Sequence, residues 1–396
     1  MVAQRVDALD LADKKVFCRV DFNVPLEGGK VADDTRIRAA LRTIEHILKQ
    51  GAKLVLGSHL GRPKGKVVDG LRMEPVGARL AELLGPKYQV IVADEVIGDG
   101  VRGIVAEMQK TDVVLLQNLR FDPREKSNDE TLAKELAALV NVYVNDAFGT
   151  AHRAHASTAG MAAHVPERAA GFLLLDELAS LGRLVDNVER PFVALLGGAK
   201  VSDKVGVLEH LIPKVDAILV GGAMANTFLK AKGVDVGSSK VEEESVATAR
   251  NVLQQAAKKG VDVLLPVDVV VASGLDVPTG EVCDVLSIPQ GMMALDIGPE
   301  TRTAFGECLA GAQTIFWNGP MGVFEREPFA AGTMQIARAV AEADAFSVIG
   351  GGDSVSAVNR SGVAKQIGHI STGGGASLEF VEGKVLPGVA ALEVEA

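Results

Sequence analysis

The sequence contains few cysteines and few aromatic residues. Its 396 residues include three cysteines, one tryptophan and two tyrosines. Cys18, Cys283 and Cys308 lie far apart without C-x-x-C spacing, and an odd number argues against a disulfide framework. Because free thiols persist in reducing compartments, we expect a cytoplasmic protein.

Long apolar runs and an excess of positive charge are also missing. Charged residues or glycines interrupt each apolar stretch before it reaches the length that spans a bilayer, and the first 15 residues contain no apolar signal segment. The formal net charge is −10, whereas nucleic acids and anionic membranes bind surfaces with broad positive fields. We therefore expect a protein that is neither exported nor membrane-embedded and has no nucleic-acid partner.

Several signatures of nucleotide enzymes and hydrolases are absent as well. The chain has no G-x-x-x-x-G-K-[ST] segment, no G-x-G-x-x-G after a strand and no protein-kinase signature. It also has no Ser/His/Asp arrangement and no His/Cys cluster with metal-ligand spacing. These absences disfavour Walker-type nucleotidases, dinucleotide-dependent dehydrogenases, protein kinases and triad hydrolases.

Glycine and short valine-rich segments are abundant. The glycines number 43. We predict strands over 16–21, 53–57, 89–93, 112–117, 142–146, 192–196, 217–221, 263–271, 314–317 and 346–350, and helices over 34–49, 129–140, 203–214, 242–259, 300–310 and 329–343. Alternating strands and helices indicate the α/β class. The length favours two or three domains, and we predict two doubly wound parallel-sheet (Rossmann-like) domains joined by a hinge helix.

The domain boundary is predicted within 172–190. Residues 172–187 have the composition of one long helix, and Pro191 then begins a new strand. We predict an N-terminal domain over 1–171, a hinge helix over 172–190 and a C-terminal domain over 191–377. The apolar tail within 378–396 is predicted to dock on the N-terminal domain.

Arginine and histidine follow the strands of the first half. The motifs are RVDFNVP (19–25), TRIR (35–38), SHLGRP (58–63), NLRF (118–121) and AHRAHAS (151–157). Loops at the carboxyl ends of parallel strands converge in space, and arginines bind phosphates and carboxylates through bidentate hydrogen bonds. This half is therefore predicted to bind a small anion that carries both groups.

Some residues in these motifs allow two interpretations. Arg36 and Arg38 oppose the helix dipole in the first turn of a helix, which indicates either a ligand or local pairing with Asp33 and Asp34. Asp21 either limits repulsion among the arginines or accepts a substrate hydroxyl. For His152 and His155, a structural or rim role is favoured over catalysis.

Glycine-rich turns follow the strands of the second half. They are GGAKVSDK (197–204), GGAMANTF (221–228), NGPMGVFE (318–325), GGGDS (350–354) and STGGGAS (371–377). The first predicts a helix capped near Ser202 whose free N–H groups meet a phosphate between Lys200 and Lys204, although an ordinary glycine turn with solvated lysines is the alternative. Asp353 is a candidate ligand for the Mg²⁺ that accompanies nucleotide phosphates.

Together and in this order, the motifs closely resemble those of the phosphoglycerate kinase family. The resemblance covers essentially the whole chain and also includes NDAFGTAHRAHAS, LGGAKVSDK, WNGPMGVFE, STGGGASLEF and the terminal LPGVAAL. It implies reversible phosphoryl transfer in glycolysis and gluconeogenesis between ATP and the carboxylate of 3-phosphoglycerate, giving 1,3-bisphosphoglycerate and ADP. It further implies Mg²⁺, in-line transfer after hinge closure and a monomer.

The resemblance also assigns residues. Those implied for the glycerate ligand are Asp21, Phe22, Asn23, Arg36, His59, Leu60, Gly61, Arg62, Arg120 and Arg153. Those implied for the nucleotide are Gly198, Lys200, Lys204, Gly221, Gly222, Ala294, Asn318, Glu325, Gly351, Gly352, Asp353 and Ser354, with Asp353 holding Mg²⁺. The residues implied to stabilise the transferring group are Arg36, Lys200, Lys204, Gly352 and Gly374.

The chain departs from the family pattern at one point of consequence. The family often has G-W-M-G before L-D-I-G-P, whereas this chain has Gly291-Met292-Met293-Ala294. Ala294 therefore replaces a glycine near the expected adenine pocket, which is expected to alter nucleotide affinity or base preference. Ser354 replaces the commoner threonine and keeps the hydroxyl.

Two other classes of protein are compatible with parts of the pattern. A two-lobed binding protein would explain an anion crevice and a hinge, but not glycine turns flanked by lysines. A dinucleotide-dependent oxidoreductase would share the fold class but lacks its fingerprint. Nucleotide binding without turnover would favour the first class, and tight NADH binding would favour the second.

Overall fold

The computed structural model describes residues 3–186 and 188–393. The chain divides into two compact units. One contains the residues up to 179 together with those from 385 onward, and the other contains residues 180–384.

The first unit is built on a parallel sheet. Its elements are β1 (Lys15–Arg19), β2 (Leu26–Glu27), β3 (Lys30–Val31), α1 (Thr35–Lys49), β4 (Lys53–Gly57), α2 (Glu74–Leu84), β5 (Gln89–Val92), α3 (Asp99–Glu107), β6 (Asp112–Leu115), α4 (Glu130–Ala137), β7 (Val142–Asn145), β8 (Glu167–Ala170) and the start of α5 (Phe172–Gly182). Within the described residues, the sheet order is β5-β6-β4-β1-β7-β8, and β2 and β3 form a separate hairpin.

The core of this unit follows from its apolar strands. Val16 of β1 pairs with Leu54 of β4 on one side and Val142 of β7 on the other. Ile37 and Ile44 of α1 are fully buried on the sheet, as their helical spacing predicts. The chain leaves β1 towards β4 on one side and later returns beside β1 as β7, and such a switch point creates a crevice at the carboxyl ends of the strands.

The second unit contains a parallel sheet and a smaller antiparallel sheet. Its elements are β9 (Phe192–Leu196), α6 (Val205–Leu211), β10 (Ala217–Val220), α7 (Gly222–Ala231), α8 (Val246–Lys259), β11 (Asp262–Leu264), β12 (Asp268–Ala272), β13 (Glu281–Asp284), β14 (Met293–Ile297), α9 (Pro299–Ala310), β15 (Thr314–Asn318), α10 (Ala331–Glu342), β16 (Phe346–Gly350), α11 (Gly352–Ser361), β17 (His369–Ile370) and α12 (Gly375–Val381). In the part of the chain that is described, the orders are β11-β10-β9-β15-β16-β17 and β13-β12-β14. The predicted α/β class with two doubly wound parallel sheets is confirmed.

One predicted strand is wrong. Residues 263–271 were expected to form a single strand, but they supply β11 at the edge of the parallel sheet and β12 at the centre of the antiparallel sheet. Pro266 lies between the two strands. Proline has no N–H to donate to a ladder and restricts the residue before it, so a strand ends there.

The predicted helix over 172–187 is too long. Helix α5 ends at Gly182, and turns follow. Glycine has a low helix propensity and commonly ends helices, which accounts for the difference. The prediction also included Asn187, which lies outside the described residues.

The chain end packs within the first unit. After α12 it forms a short helix, α13 (Pro387–Ala390). The Gly388 N–H donates to the Ala151 carbonyl at 2.8 Å, and Asn145 Nδ2 donates to the Gly388 carbonyl at 3.2 Å. Residues 378–384 of the predicted docking tail belong instead to the second unit, and residues 394–396 lie outside the described chain.

Within residues 3–186 and 188–393, no helix is both long and apolar enough to cross a bilayer.

Candidate functional site

The first unit brings its arginine and histidine motifs to the carboxyl edge of one sheet. The segments that follow β1, β4, β6 and β7 carry Asp21, His59, Arg120 and Arg153. These strands are neighbours in the sheet, so the segments lie side by side. Arg36 joins them from the first turn of α1. We call this group the anion site.

The structure separates the two arginines of α1. Arg38 makes the local ion pair, with its Nε 2.9 Å from Asp34 Oδ1. Arg36 instead contacts Asp21, with Nη1 2.7 Å from Oδ2. The alternative of purely local pairing therefore applies to Arg38 and not to Arg36.

Hydrogen bonds connect the loops of the anion site. Asn23 Oδ1 accepts from the Gly61 N–H at 2.8 Å, and Arg120 Nη1 donates to the Gly61 carbonyl at 2.8 Å. Burial, together with the charge of Arg153, lowers the pKa of Arg120 to about 10. Arg120 Nε is buried and has no hydrogen-bond partner among the described residues. A charged donor in this state favours an anionic acceptor.

His59 is a neutral member of the anion site. Only 4% of it is exposed, and its Nδ1 lies 3.9 Å from Asp21 Oδ1. Burial, followed by the charges of Arg19, Arg120, Arg153 and Arg36, holds the pKa of His59 well below its usual value. His59 can therefore donate or accept a hydrogen bond without adding positive charge.

Arg19 was missed by the sequence analysis. It is 1% exposed, with Nη2 3.4 Å from His59 Nδ1. Its Nε donates to Ser157 Oγ at 2.9 Å, and Ser157 Oγ donates to the buried carboxylate of Glu125 at 2.6 Å. The signal in the sequence was a charged residue at the end of an otherwise apolar strand.

The other residues predicted for the anion ligand differ in exposure. Phe22 and Leu60 are buried in the hydrophobic core, so only their backbone atoms can reach a ligand. Arg62 and Arg153 are exposed. His155 is buried, and burial with the charge of Arg19 lowers its pKa to about 4, which favours the predicted structural role.

We expect His59 to make the first unit less stable in mild acid. Because the pKa of His59 is depressed in the folded chain, the unfolded chain binds more protons than the folded chain below about pH 6.5. For each extra proton bound, the free energy of unfolding falls by about 1.4 kcal/mol per pH unit. Stability is therefore lost as pH falls below the unfolded pKa. In urea titrations at about pH 7.5 and 5.5, His59→Gln should lose less stability than the parent chain. His164→Gln, at an exposed histidine, should behave like the parent; equal losses for both variants would contradict the assignment.

Glycines permit close backbone contacts in the second unit. Gly222, at the start of α7, has φ +65°, and a Cβ there would lie 2.6 Å from the Gly198 nitrogen. The Gly198 N–H donates to the Pro320 carbonyl, and the Gly222 N–H donates to the Met321 carbonyl, each at 2.9 Å. The turns after β9 and β10 and the loop after β15 therefore pack closely against one another through backbone atoms.

Lys204 and Asn318 meet beside these turns. The Lys204 ammonium donates to Asn318 Oδ1, and burial lowers the pKa of Lys204. Asn318 Nδ2 is buried without a hydrogen-bond partner in the described part of the chain. Gly351, with φ +89°, lies close to this amide, since a Cβ there would be 2.8 Å from Nδ2. An ammonium and a free amide donor in one place favour an anionic ligand.

A cavity of about 400 Å³ opens beside this pair, and we call it the apolar cavity. It is lined by Gly198, Ala199, Gly222, Ala223, Lys240, Leu275, Met293, Ala294, Leu295, Pro320, Gly322, Val323, Glu325 and Asp353. Its size and mostly apolar wall are typical of small-ligand pockets. Sequence reasoning did not name Lys240, Leu275 or Leu295, which lie outside the glycine-rich motifs.

Three further residues of the glycine-rich motifs differ in their surroundings. Ser202 forms a short 3₁₀ turn and hydrogen bonds to Glu242, and α6 begins at Val205 without a side-chain cap, so the predicted cap at Ser202 is wrong. Ser354 is fully buried and accepts from the Gly319 N–H at 2.6 Å, so its side chain supports the loop. Lys200 is exposed.

The remaining glycines begin or precede helices. Gly351 precedes α11, which starts at Gly352, and Gly374 precedes α12. A Cβ at Gly352 or Gly374 would meet nothing within 4 Å. Asp353 lies in the first turn of α11 at the cavity wall. Among the described residues, no group of three or more His, Cys, Asp or Glu side chains could hold a metal ion.

Two doubly wound units, one with an arginine-rich anion site and one with a glycine-framed cavity, are the arrangement expected of a phosphotransferase that binds an anionic acceptor and a nucleotide. The sequence profile described as phosphoglycerate kinase matches residues 6–384. The chain belongs to the phosphoglycerate kinase family.

Individual relatives agree with this assignment. The phosphoglycerate kinase of Anaeromyxobacter sp. (strain Fw109-5) is 57% identical over 397 residues, covering 99% of this chain and 100% of the relative. That of Moorella thermoacetica is 57% identical over 386 residues, covering 97% of each chain. The solved structure of phosphoglycerate kinase from Coxiella burnetii is 40% identical, has a TM-score of 0.90 and covers 99% of each chain.

Proposed function

We propose that the chain transfers a phosphoryl group reversibly between ATP and the carboxylate of 3-phosphoglycerate, giving 1,3-bisphosphoglycerate and ADP. Family membership over residues 6–384 supports this reaction. One observation carries the assignment of two substrates to two sites. Each unit has a buried donor that finds no partner among the described residues, Arg120 Nε in the first and Asn318 Nδ2 in the second. Both substrates are anionic.

The anion site is proposed to bind 3-phosphoglycerate. Arg62, Arg120 and Arg153 supply donors for the phosphate and carboxylate. Asp21 and Asn23 are suited to the hydroxyl, and Asp21 also directs Arg36 through their 2.7 Å ion pair. His59 adds a hydrogen bond without charge, because its pKa is held well below the usual value.

The glycine turns and the apolar cavity are proposed to bind ATP or ADP. The cavity wall of Leu275, Met293 and Ala294 suits the base, and Glu325 at its edge suits the ribose hydroxyls. Lys200, Lys204 and Asn318 are suited to the phosphates. The free N–H groups at the start of α11 are also available to them.

The donors of the second unit fit Mg²⁺ only when a nucleotide accompanies it. Mg²⁺ is commonly held by one or two carboxylates together with substrate phosphates and waters, and Asp353 supplies one carboxylate at the cavity wall. When bound, Mg²⁺ would neutralise charge on the phosphates. Asp353 is the residue proposed to hold it.

The chemistry requires positioning and charge neutralisation and no general base. A carboxylate acceptor is already ionised at neutral pH. Arg36, Lys200, Lys204 and the N–H groups beside Gly352 and Gly374 are proposed to stabilise charge on the transferring group. The two sites belong to different units, so we propose that a hinge at α5 closes them on each other and excludes water. The cytoplasmic location and the monomeric state stay predictions.

The reaction can be tested by trapping its acyl phosphate. Purified chain is incubated with ATP, Mg²⁺, 3-phosphoglycerate and hydroxylamine, and each component is omitted in turn. We expect hydroxamate only when all components are present. ATP binding without hydroxamate would instead favour a binding protein or another carboxylate acceptor.

A further inference from the structure

A buried carboxylate lies behind the wall of the apolar cavity. Asp296 follows Leu295 on β14 and is 4% exposed. It does not line the cavity, whereas Met293, Ala294 and Leu295 of the same strand do. Burial raises the pKa of this carboxyl group to about 7, while hydrogen bonds from the backbone N–H groups of Gly332 and Ile297 oppose that rise by favouring the ionised form. Burying an ionisable group has a free-energy cost, so its contacts call for an explanation.

Asp296 caps a helix that has no cap of its own. The residue before α10 is Ala330, whose side chain cannot accept a hydrogen bond. Asp296 Oδ2 instead accepts from the Gly332 N–H at 2.6 Å, while Oδ1 accepts from the Ile297 N–H at 2.9 Å. A carboxylate at a helix N-terminus is stabilising, and here it ties α10 to β14.

The same carboxylate contacts the loop over 319–325, four of whose residues also line the cavity. Gly322 packs directly on it, since a Cβ at Gly322 would lie 2.2 Å from Asp296 Oδ1. Two further bonds hold this loop: the Val323 N–H donates to the Leu295 carbonyl at 2.8 Å, and the Met321 N–H donates to Thr333 Oγ1 of α10 at 3.0 Å. Asp296 therefore lies where β14, the loop and the start of α10 meet.

We propose that Asp296 is a positioning residue for the nucleotide, which fixes the walls of the apolar cavity by holding the start of α10 against β14 and the loop over 319–325. The inference rests on the proposed function of the cavity as the ATP site. Asparagine cannot replace the aspartate. Both oxygens accept from backbone N–H groups, so the amide NH₂ would face a second donor.

The chain offers a matched control in Asp268. This aspartate is 5% exposed and caps α9 in the same way, accepting from the N–H groups of Glu300 and Thr301 at 2.9 and 2.8 Å. Gly298 packs on it as Gly322 packs on Asp296. None of the residues that line the apolar cavity belongs to α9. Asp268→Asn thus removes a similar cap from a helix that contributes no residue to the lining of the apolar cavity.

The test compares full-length variants by steady-state kinetics and thermal unfolding. Asp296→Asn should raise KM for ATP by about tenfold or more, since each lost bond to a charged group is large, while KM for 3-phosphoglycerate stays unchanged. Asp268→Asn should lower Tm but leave both KM values unchanged. Equal KM values for ATP in the two variants would overturn the proposal.

Two further variants make every outcome decisive. If Asp296→Asn does not fold, Thr333→Val tests the same junction. It removes the hydrogen bond from the Met321 N–H with little change in side-chain volume. KM for ATP should rise in this variant, and an unchanged value would overturn the proposal. Ala294→Phe fills the apolar cavity directly and should raise KM for ATP. If Ala294→Phe leaves KM for ATP unchanged, the apolar cavity is not the nucleotide site. If Ala294→Phe raises KM for ATP and the other variants do not, the cavity is still the nucleotide site and only the positioning role of Asp296 is overturned.

Discussion

Replacing Arg36 by alanine is expected to lower kcat about 10³-fold while KM for ATP stays unchanged, because a cation that stabilises a transferring phosphoryl group acts mainly in the transition state. Arg36 is suited to this role because it faces Asp21 in the anion site, 2.7 Å from its carboxylate. The rate is measured with both substrates saturating. A lysine at this position should restore part of the rate, since it keeps the charge but loses the planar donor fork.

Arg38→Ala is the matched control for Arg36→Ala. Arg38 lies on the same helix two residues later and pairs with Asp34, 2.9 Å away. We expect its kcat to remain at the parent value. A kcat for Arg36→Ala equal to that of Arg38→Ala would remove Arg36 from the catalytic residues.

Replacing Asp353 by asparagine is expected to lower kcat/KM for Mg-ATP about 100-fold, because it weakens binding of a metal ion that itself supplies several kcal/mol of charge stabilisation. The Mg²⁺ concentration that gives half of the maximal rate should rise as well. The structural basis is the position of Asp353 at the cavity wall, in the first turn of α11. A Mg²⁺ titration at fixed ATP measures both effects.

Asp276→Asn is the control for Asp353→Asn. Asp276 is an exposed carboxylate of the same unit, paired with Arg326 at 2.8 Å, and it does not line the cavity. Its variant should titrate with Mg²⁺ like the parent chain. If Asp353→Asn also keeps the parent dependence on Mg²⁺, the metal is held elsewhere.

The parallel sheets were predictable from the sequence because their strands are short, apolar and buried on both faces. The antiparallel sheet was not, since β13 consists of Glu281–Asp284 and is largely exposed. Strand β13 is stabilised by its pairing with β12, and its own composition does not predict a strand. Helix α2 was missed for a similar reason, because Pro75 and Gly77 lower its intrinsic propensity for helix while packing stabilises it.

The candidate site was predictable where function depends on residue type at the end of a strand. Arg120 and Lys204 belong to that group, because the sequence alone marks each of them as a cation in the segment after a strand. Arg19 ends a strand but was overlooked, and Asp296 could not be found in this way, because the importance of both lies in partners that are distant in sequence. Ser157 is 138 residues from Arg19 in the chain, and Gly332 is 36 residues from Asp296.

The central claim is that two separate sites bind two different substrates, and calorimetric titration of each ligand alone tests it most directly. We predict that Arg120→Gln weakens 3-phosphoglycerate binding about tenfold or more without changing ATP binding, and that Lys204→Met does the reverse, since each removes a charged donor from one site. If both variants weakened the same ligand, or if each weakened both, the assignment of one substrate to each unit would be contradicted.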